Sequence, residues 1–173
     1  MEWQLDAAHT SASFSVRHMM ISAVRGHFDQ ASGSAQVEDG KVKSASVDID
    51  VASIATRDAQ RDAHLKSGDF FDAENHPHLH FETTQVEHVA DDKYRIGGNL
   101  TIRGTTRPVT LDAEIAPAIK DPWGNDRIGV SAKGQIDRKE FGLTWNMALE
   151  AGGVMVGDQV KVEVDAEFFH APS

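Results

Sequence analysis

Residues 160–168 read Val-Lys-Val-Glu-Val-Asp-Ala-Glu-Phe, in which apolar and charged side chains alternate strictly. Because successive side chains of a β-strand point to opposite faces, this period of two predicts a strand with one buried face. The same alternation recurs in seven earlier segments, residues 14–18, 24–37, 45–51, 78–88, 94–102, 109–115 and 128–136. The sequence therefore predicts eight strands, and Trp3–Ala7 is the candidate for a short ninth.

Turn signals separate these segments, at Asp39-Gly40, Asp91-Asp92, Arg103-Gly104 and Asp121–Asn125. Such short connections favour antiparallel neighbours. The longer stretch 53–77 is the exception. It predicts one short helix around residues 57–67, with Thr56 as its N-cap and an end at Ser67-Gly68.

Strands with one apolar face must bury those faces against each other, so the sequence predicts an all-β fold, either a sandwich or a closed barrel. Small residues on the apolar faces (Gly26, Ala35, Gly98 and Gly134) either leave space inside such a barrel or mark bulges. An outer-membrane barrel shares this period of two, but one Tyr and three Trp are few for its interfacial girdles. No linker or internal repeat is evident, so residues 1–173 are expected to form a single domain.

Composition excludes several classes of function. Seventeen Lys and Arg oppose 27 Asp and Glu, which gives a formal net charge of −10, and an acidic surface opposes binding to nucleic acid. Without cysteine, the chain has no thiol nucleophile, no Cys-based zinc site and no iron–sulfur cluster. The residues predict no cofactor.

The N-terminal sequence carries no basic segment followed by an apolar run, and no apolar stretch reaches the ~20 residues of a membrane helix. We therefore expect a cytoplasmic protein without stable membrane insertion. A chain whose leader had been removed would be periplasmic and would read the same.

Histidines offer one candidate for metal chemistry. His78, His80 and Glu82 are spaced by two, so an extended strand would place them on one face, as a metal site of two imidazoles and a carboxylate requires. Leu79 and Phe81 occupy the opposite, apolar face, which favours a solvent-facing position for the histidines. A metal-binding protein or metal-dependent enzyme is the alternative function.

Catalysis has no other candidate in the sequence. His18 shares the apolar face of its strand with Phe14 and Val16 and should point inward, where a neutral imidazole suits the closed end of a cavity. No Gly-x-Ser-x-Gly elbow and no Gly-rich phosphate loop is present. We therefore expect a binding protein rather than an enzyme.

The helical segment 57–65 alternates Asp and Arg at helical spacing. Pairing of Asp58 and Asp62 with Arg61 and Arg57 predicts a solvated surface network, and a charged rim at a cavity mouth is the alternative. Apolar residues at 19–23 interrupt the strand pattern, as core residues or as a portal for an apolar ligand.

Five motifs in order are similar to the signatures of the YceI-like family: Phe14–His18, Val24–Phe28, Arg61–Leu65 followed by Asp69–Asp72, Gly98–Gly104 and Arg138–Leu143. The resemblance implies a lipocalin-like, extended eight-stranded antiparallel barrel whose tunnel binds a polyisoprenoid or a similar long-chain lipid. It also implies a homodimer in many members and no catalytic activity established for the family. The lining positions carried over from the motifs are Phe14, Val16, His18, Val24, Phe28, Phe70, Phe71, Leu100, Ile102, Phe141, Leu143 and Trp145.

The expected function is binding, sequestration or transport of such an amphiphile, for instance an isoprenoid-quinone precursor. Burial of the ligand's apolar surface, at ~25 cal/mol per Å², supplies the affinity. The protein should therefore discriminate little between ligands that differ in their apolar chain. A stress-response interaction protein with an incidental cavity is a further reading that the sequence does not separate from a carrier.

Overall fold

The fold was analysed in a computed structural model, which describes residues 1–146 and 155–172. Its strands are β1 (Glu2–Leu5), β2 (Ser11–His18), β3 (Ser22–Phe28), β4 (Ala31–Glu38), β5 (Lys41–Asp50), β6 (Ile54–Ala55), β7 (His78–Ala90), β8 (Lys93–Ile102), β9 (Thr105–Ile115), β10 (Ile119–Lys120), β11 (Asp126–Asp137) and β12 (Val156–His170). The helix α1 spans Ala59–Lys66, and 3₁₀ turns span Ala7–His9, Val51–Ser53 and Arg138–Phe141. The predicted strand over 24–37 is split, because the chain leaves the ladder at Asp29-Gln30.

Eight strands close into an antiparallel barrel, in the order β1-β4-β5-β7-β8-β9-β11-β12, and β12 pairs back to β1. β12 contacts three strands. It pairs with β11 along most of its length, with β1 near its end (Leu5 opposite Phe168) and with β2 over its first part (Val162 opposite Phe14). β3 and β6 extend the wall beyond β2 toward α1.

The apolar faces of the strands turn inward, as their alternation predicts. In β12, Ala166 and Phe168 are buried whereas Lys161, Glu163 and Asp165 are exposed. Buried residues form three groups: one around Trp3 and Phe168, one around Phe28 and Phe141, and one around Ile96 and Leu111.

Two of the small residues make room for aromatic rings. A Cβ atom on Gly26 would lie 2.5 Å from Cζ of Phe14, and one on Gly98 would lie 2.5 Å from Cζ of Phe81. The strand register shifts beside Gly98 and stays regular along β2 and β3. Both glycines therefore leave room for a neighbouring aromatic ring. Of the two, only Gly98 also lies beside a bulge.

The helix starts two residues later than predicted. Asp58, not Thr56, is its N-cap: the Asp58 carboxylate accepts hydrogen bonds from the backbone N–H groups of Gln60 (3.0 Å) and Arg61 (3.1 Å). Thr56 is buried and donates its own N–H to Asp62 (2.9 Å), while its oxygen atoms accept from the Arg61 guanidinium (2.9 and 2.6 Å). Arg61 and Asp62 thus hold Thr56, in the segment before the helix. The sequence predicts instead that they pair with Asp58 and Arg57 along the helix surface.

Candidate functional site

An apolar cavity of about 620 Å³ runs through the barrel, within the range of small-molecule sites. Its walls are the inward faces of the strands, and β12 contributes Val160, Val162, Val164, Ala166 and Phe168. The residues that set the period of two in the sequence therefore line this space. The lining reaches from Phe168 at one end to α1 at the other.

Polar side chains of the lining concentrate at the α1 end. The helix region supplies Asp58, Gln60, Arg61 and His64, and β2 supplies Arg17 and His18. Arg17, Asp58 and Gln60 are exposed, so the cavity reaches the surface here. We call this end, formed by these six residues, the mouth. It joins an apolar interior to groups that can hydrogen-bond a polar head.

The mouth contains Asp58, the N-cap of α1, and three residues of α1 itself. This arrangement matches the alternative interpretation of the charged segment, a rim at a cavity mouth. His18 also lies at the mouth and not at a closed end, because β2 ends there and β12 begins opposite, with Val156 paired to His18.

Three rings meet beside the mouth. The ring centroid of His64 is 4.7 Å from that of Trp145 and 5.1 Å from that of Phe70, and Phe70 and Trp145 are 5.4 Å apart. Nε2 of His64 is 2.9 Å from a carboxylate oxygen of Asp69. The edge-to-face arrangement and this hydrogen bond orient the imidazole, and all three rings line the cavity.

Arg138 fixes the chain that borders the cavity at this end. The residue is 3% exposed, and its guanidinium donates to the carbonyl oxygens of Leu143, Trp145 (3.0 Å), Val156 (3.2 Å) and Gly157 (2.7 Å). Burial lowers the pKa of Arg138, and the carboxylates of Asp158 and Asp137 act in the opposite direction. One buried cation therefore ties the segment after β11 to the start of β12.

Eleven of the twelve predicted lining residues do lie on the cavity wall: Phe14, Val16, His18, Val24, Phe28, Phe70, Phe71, Leu100, Ile102, Leu143 and Trp145. Phe141 is the exception: it is 1% exposed and packs in the core group around Phe28, but it does not itself line the cavity. Whether any of these side chains contacts a ligand stays a prediction.

The motif-based list omits much of the wall, including Val47, Ile49, Leu79, Phe81 and Val86. For Val47, Ile49, Leu79 and Phe81 the signal was present, because each has an inward position in a strand that alternates. Val86 is out of register with Leu79 and Phe81, because the pairing of β7 with β8 shifts between Thr83 and Gln85. The mouth residues Gln60 and Asp58 had no such signal. Helical charge spacing alone does not say what lies beneath the helix.

The residues of the metal alternative lie on the outer face of β7. His80 Nδ1 is 2.8 Å from Asp48 of β5, and its Nε2 is 3.8 Å from Glu82. His78 and Glu82 are exposed, whereas Leu79 and Phe81, which alternate with the histidines in β7, line the cavity. This strand therefore places its histidines away from the cavity.

A different trio brings possible metal ligands together. Ligand atoms of Asp6, His9 and Glu167 lie within 4.8 Å of one another. Arg127 already occupies this cluster, with Nη1 2.8 Å from Asp6 and 3.4 Å from Glu167. The guanidinium pairs with both carboxylates, which makes this a structural ion-pair group at the end of the barrel opposite the mouth.

A sequence model of the YceI-like domain matches residues 3–168. The chain belongs to the YceI-like family. A UPF0312 protein of Staphylococcus aureus strain N315 is 39% identical over 166 residues, 94% of each sequence. The family resemblance of the five motifs is thereby confirmed.

Solved structures share the barrel of this YceI-like protein. The Campylobacter jejuni YCEI protein has a TM-score of 0.75 at 30% identity, with 90% of each chain covered. Burkholderia cenocepacia BcnA has a TM-score of 0.79 at 23% identity, covering 94% of this chain and 98% of its own. A polyisoprenoid-binding domain from Saccharophagus degradans has a TM-score of 0.69 at 16% identity, with 98% of each chain covered.

These likenesses confirm the predicted eight-stranded antiparallel barrel. No helix in residues 1–146 or 155–172 combines the length and the apolar composition that crossing a bilayer requires.

Proposed function

We propose that this YceI-like protein binds a long-chain amphiphile, a polyisoprenoid or an isoprenoid-quinone precursor, with its apolar chain in the cavity and its head group at the mouth. The observation that carries the proposal is the cavity of about 620 Å³, apolar along the barrel and polar at the α1 end. The solved neighbour named as a polyisoprenoid-binding domain has the same fold.

Burial of the apolar chain supplies the affinity. At ~25 cal/mol per Å², removing even a few hundred Å² of apolar surface from water contributes several kcal/mol to binding. This contribution offsets the free-energy cost of association. Such burial is nondirectional, so chains of related length and branching should compete with each other. Specificity for one member of the class then comes from the head group.

The mouth suits a polar head with hydrogen-bond acceptors. Arg17 and Arg61 bring two cations into an otherwise acidic protein of formal charge −10. Thr56 holds Nε and Nη2 of Arg61, so the guanidinium is fixed before a ligand arrives. Asp58 at the same rim opposes a strongly anionic head, which favours a neutral or singly charged one.

The proposed role is binding and carriage without chemical conversion. Its support is the predominantly apolar wall, where ligand carbons would meet Leu, Val, Ile and Phe side chains. Delivery to a partner, a homodimeric state and a link to the stress response stay predictions.

Native mass spectrometry of the full chain, combined with lipid extraction, tests the proposal. We expect one amphiphile per chain, either retained from the host or taken up when a polyprenol is supplied in detergent. A protein that stays empty and takes up neither polyprenol, quinone nor fatty amide would contradict it. Comparing the affinity for polyprenol with that for a short-chain quinone then measures how much the apolar chain of the ligand contributes.

A further inference from the structure

The turn between β2 and β3 exposes three consecutive apolar side chains. Met19, Met20 and Ile21 are 41%, 63% and 80% exposed. We call these three residues the hairpin tip. Their side chains contribute little to the described core, so core packing does not account for their apolar character.

The backbone of the hairpin tip is unfavourable for its residues. Met19 and Met20 have φ angles of 53° and 59°, and the Ile21 N–H donates to the carbonyl oxygen of His18 at 3.3 Å. Two successive positive φ angles at the centre of a hydrogen-bonded four-residue turn, here His18 to Ile21, define a turn that prefers Asn, Asp and Gly. A local conformational penalty thus holds apolar side chains in water, which is typical of a surface retained for function.

Two other hairpins of the barrel place at least one of these preferred residues at the positive φ angles. The turn between β4 and β5 has its positive φ angles at Asp39 and Gly40, and the turn between β8 and β9 has them at Arg103 and Gly104. The hairpin tip is therefore exceptional in placing two methionines at such positions.

The hairpin tip adjoins the mouth of the cavity. His18 precedes it and lines the mouth, and Met155, across from it, also lines the cavity. The Met19 N–H donates to the carbonyl oxygen of Met155 at 2.7 Å. A surface that covered the hairpin tip would therefore lie next to the opening through which a ligand passes.

Basic residues flank the hairpin tip on both strands. Arg17 of β2 and Arg25 of β3 are exposed. Within the part of the chain that the structure describes, neither makes an ion pair with a carboxylate. Exposed apolar side chains between cations suit a surface with acyl chains beneath phosphate groups.

We propose that the hairpin tip docks reversibly on a phospholipid bilayer, with Met20 and Ile21 in the interfacial region and Arg17 and Arg25 at the lipid phosphates. This inference rests on the proposed function, because an amphiphile held in a membrane must enter the mouth without crossing water. Three apolar residues suffice for transient docking only, and the acidic remainder of the surface favours release.

Flotation of the full chain with phosphatidylcholine and phosphatidylglycerol vesicles, mixed about four to one, tests the proposal. The variant is Met19→Asn with Met20→Gly, which gives the turn its preferred residues. We expect its vesicle-bound fraction to fall about tenfold while its Tm stays equal to that of the wild type or rises. The retained Tm separates loss of docking from loss of folding.

Trp123→Ala is the matched control, because Trp123 is 79% exposed and lies beyond β10, at the end opposite the mouth. It should float like the wild type. Wild-type protein that does not float, or a tip variant that floats equally well, would overturn the proposal. So would an equal loss in Trp123→Ala, or a tip variant that only dissociates a dimer.

Ligand uptake separates this inference from the proposed function. Wild type and tip variant should take up polyprenol from detergent equally, while the variant should extract polyprenol from vesicles about tenfold more slowly. Failure of uptake from detergent in the wild type contradicts the proposed function. Equal extraction from vesicles by both proteins contradicts the docking of the hairpin tip alone.

Discussion

Phe14 on β2 lies across Gly26 on β3, with Cζ of its ring 2.5 Å from the position that a Cβ atom on Gly26 would occupy. Cγ2 of Thr56 lies 2.8 Å from the same position. The glycine thus lets the ring lie flat against the neighbouring strand. Phe14 in turn lines the cavity, so this contact shapes the site.

Gly26→Ala should destabilise the protein, because the new methyl group displaces the Phe14 ring or the buried Thr56. We expect a loss of about 1–3 kcal/mol in the free energy of unfolding, measured by urea denaturation. Gly129→Ala is the control, since no atom lies within 4 Å of its Cβ position. Equal stability of the two variants would mean that the ring moves without cost.

Leu100→Trp should block the cavity. Leu100 lines the cavity and pairs across the strands with Phe81, so an indole there fills space that an apolar chain would need. We expect amphiphile binding to fall about tenfold or more, measured by native mass spectrometry. Asn99→Trp adds the same ring at an exposed position and should bind normally. Undiminished binding by a folded Leu100→Trp protein would place the ligand elsewhere.

Asp58→Ala should loosen the mouth. It removes the N-cap of α1 and leaves two backbone N–H groups of the first turn unsatisfied, at a cost of about 0.5–2 kcal/mol. We expect faster amide exchange across α1 and faster release of bound amphiphile. Asp58→Asn retains the capping geometry and separates the cap from the charge. If Asn releases ligand as fast as Ala, the carboxylate charge and not the cap controls release.

Arg138→Met should destabilise more than any of these changes. It strips donors from four backbone carbonyl groups and leaves Asp158 without its buried cation. We expect a loss of about 3–5 kcal/mol, with a Tm lower by roughly 10 °C. Lys139→Met changes the exposed neighbour of Arg138 and should alter the Tm little. Near wild-type stability of Arg138→Met would show that water replaces the guanidinium at these carbonyls.

Arg127 makes stability depend on pH. Hydrogen bonds from Arg127 and His9 lower the pKa of Asp6. Burial raises the pKa of the Asp121 carboxyl, but hydrogen bonds from Arg127, Asn125 and Trp123 outweigh it and hold that pKa well below its usual range. A carboxyl with a depressed folded pKa stabilises the fold above its unfolded pKa of ~4 and loses that contribution as the pH falls.

Arg127→Met should therefore destabilise the protein most near neutral pH, and the difference from wild type should shrink as the pH falls below ~4. Urea denaturation of both proteins near neutral pH and below pH ~4 measures this difference in the free energy of unfolding. Lys120→Met removes an exposed ion pair with Asp126 and an exposed hydrogen bond to the Gly124 carbonyl oxygen, and we expect little change at either pH. A difference for Arg127→Met that is independent of pH would contradict the linkage.

Alternation was sufficient to predict the inward faces of most strands, because a one-residue shift in a strand exposes its whole apolar face. It did not predict the break at Asp29-Gln30 or the register shift in β7. Local sequence was not sufficient at the helix. Both Thr56 and Asp58 are good N-caps, and the choice depends on Asp62 and Arg61, which engage Thr56. The location of Phe141 likewise follows from how its 3₁₀ turn packs against distant strands.

The size of the cavity was also beyond sequence analysis. Glycine at Gly26 and Gly98 suggested open space, but neighbouring Phe rings occupy it. The cavity is what remains after those rings, the core groups and the Arg138 segment have taken their places. That remainder is a property of the assembled side chains and has no local sequence signal.

β12 follows β1, β2 and β11 in the chain and pairs with all three, which has a consequence for biosynthesis. On the ribosome, β1, β2 and β11 emerge before β12, so the edges that they present to β12 stay open until it is made. A truncation that removes β12 would leave the edges of these three strands unpaired, and we expect such a product to aggregate.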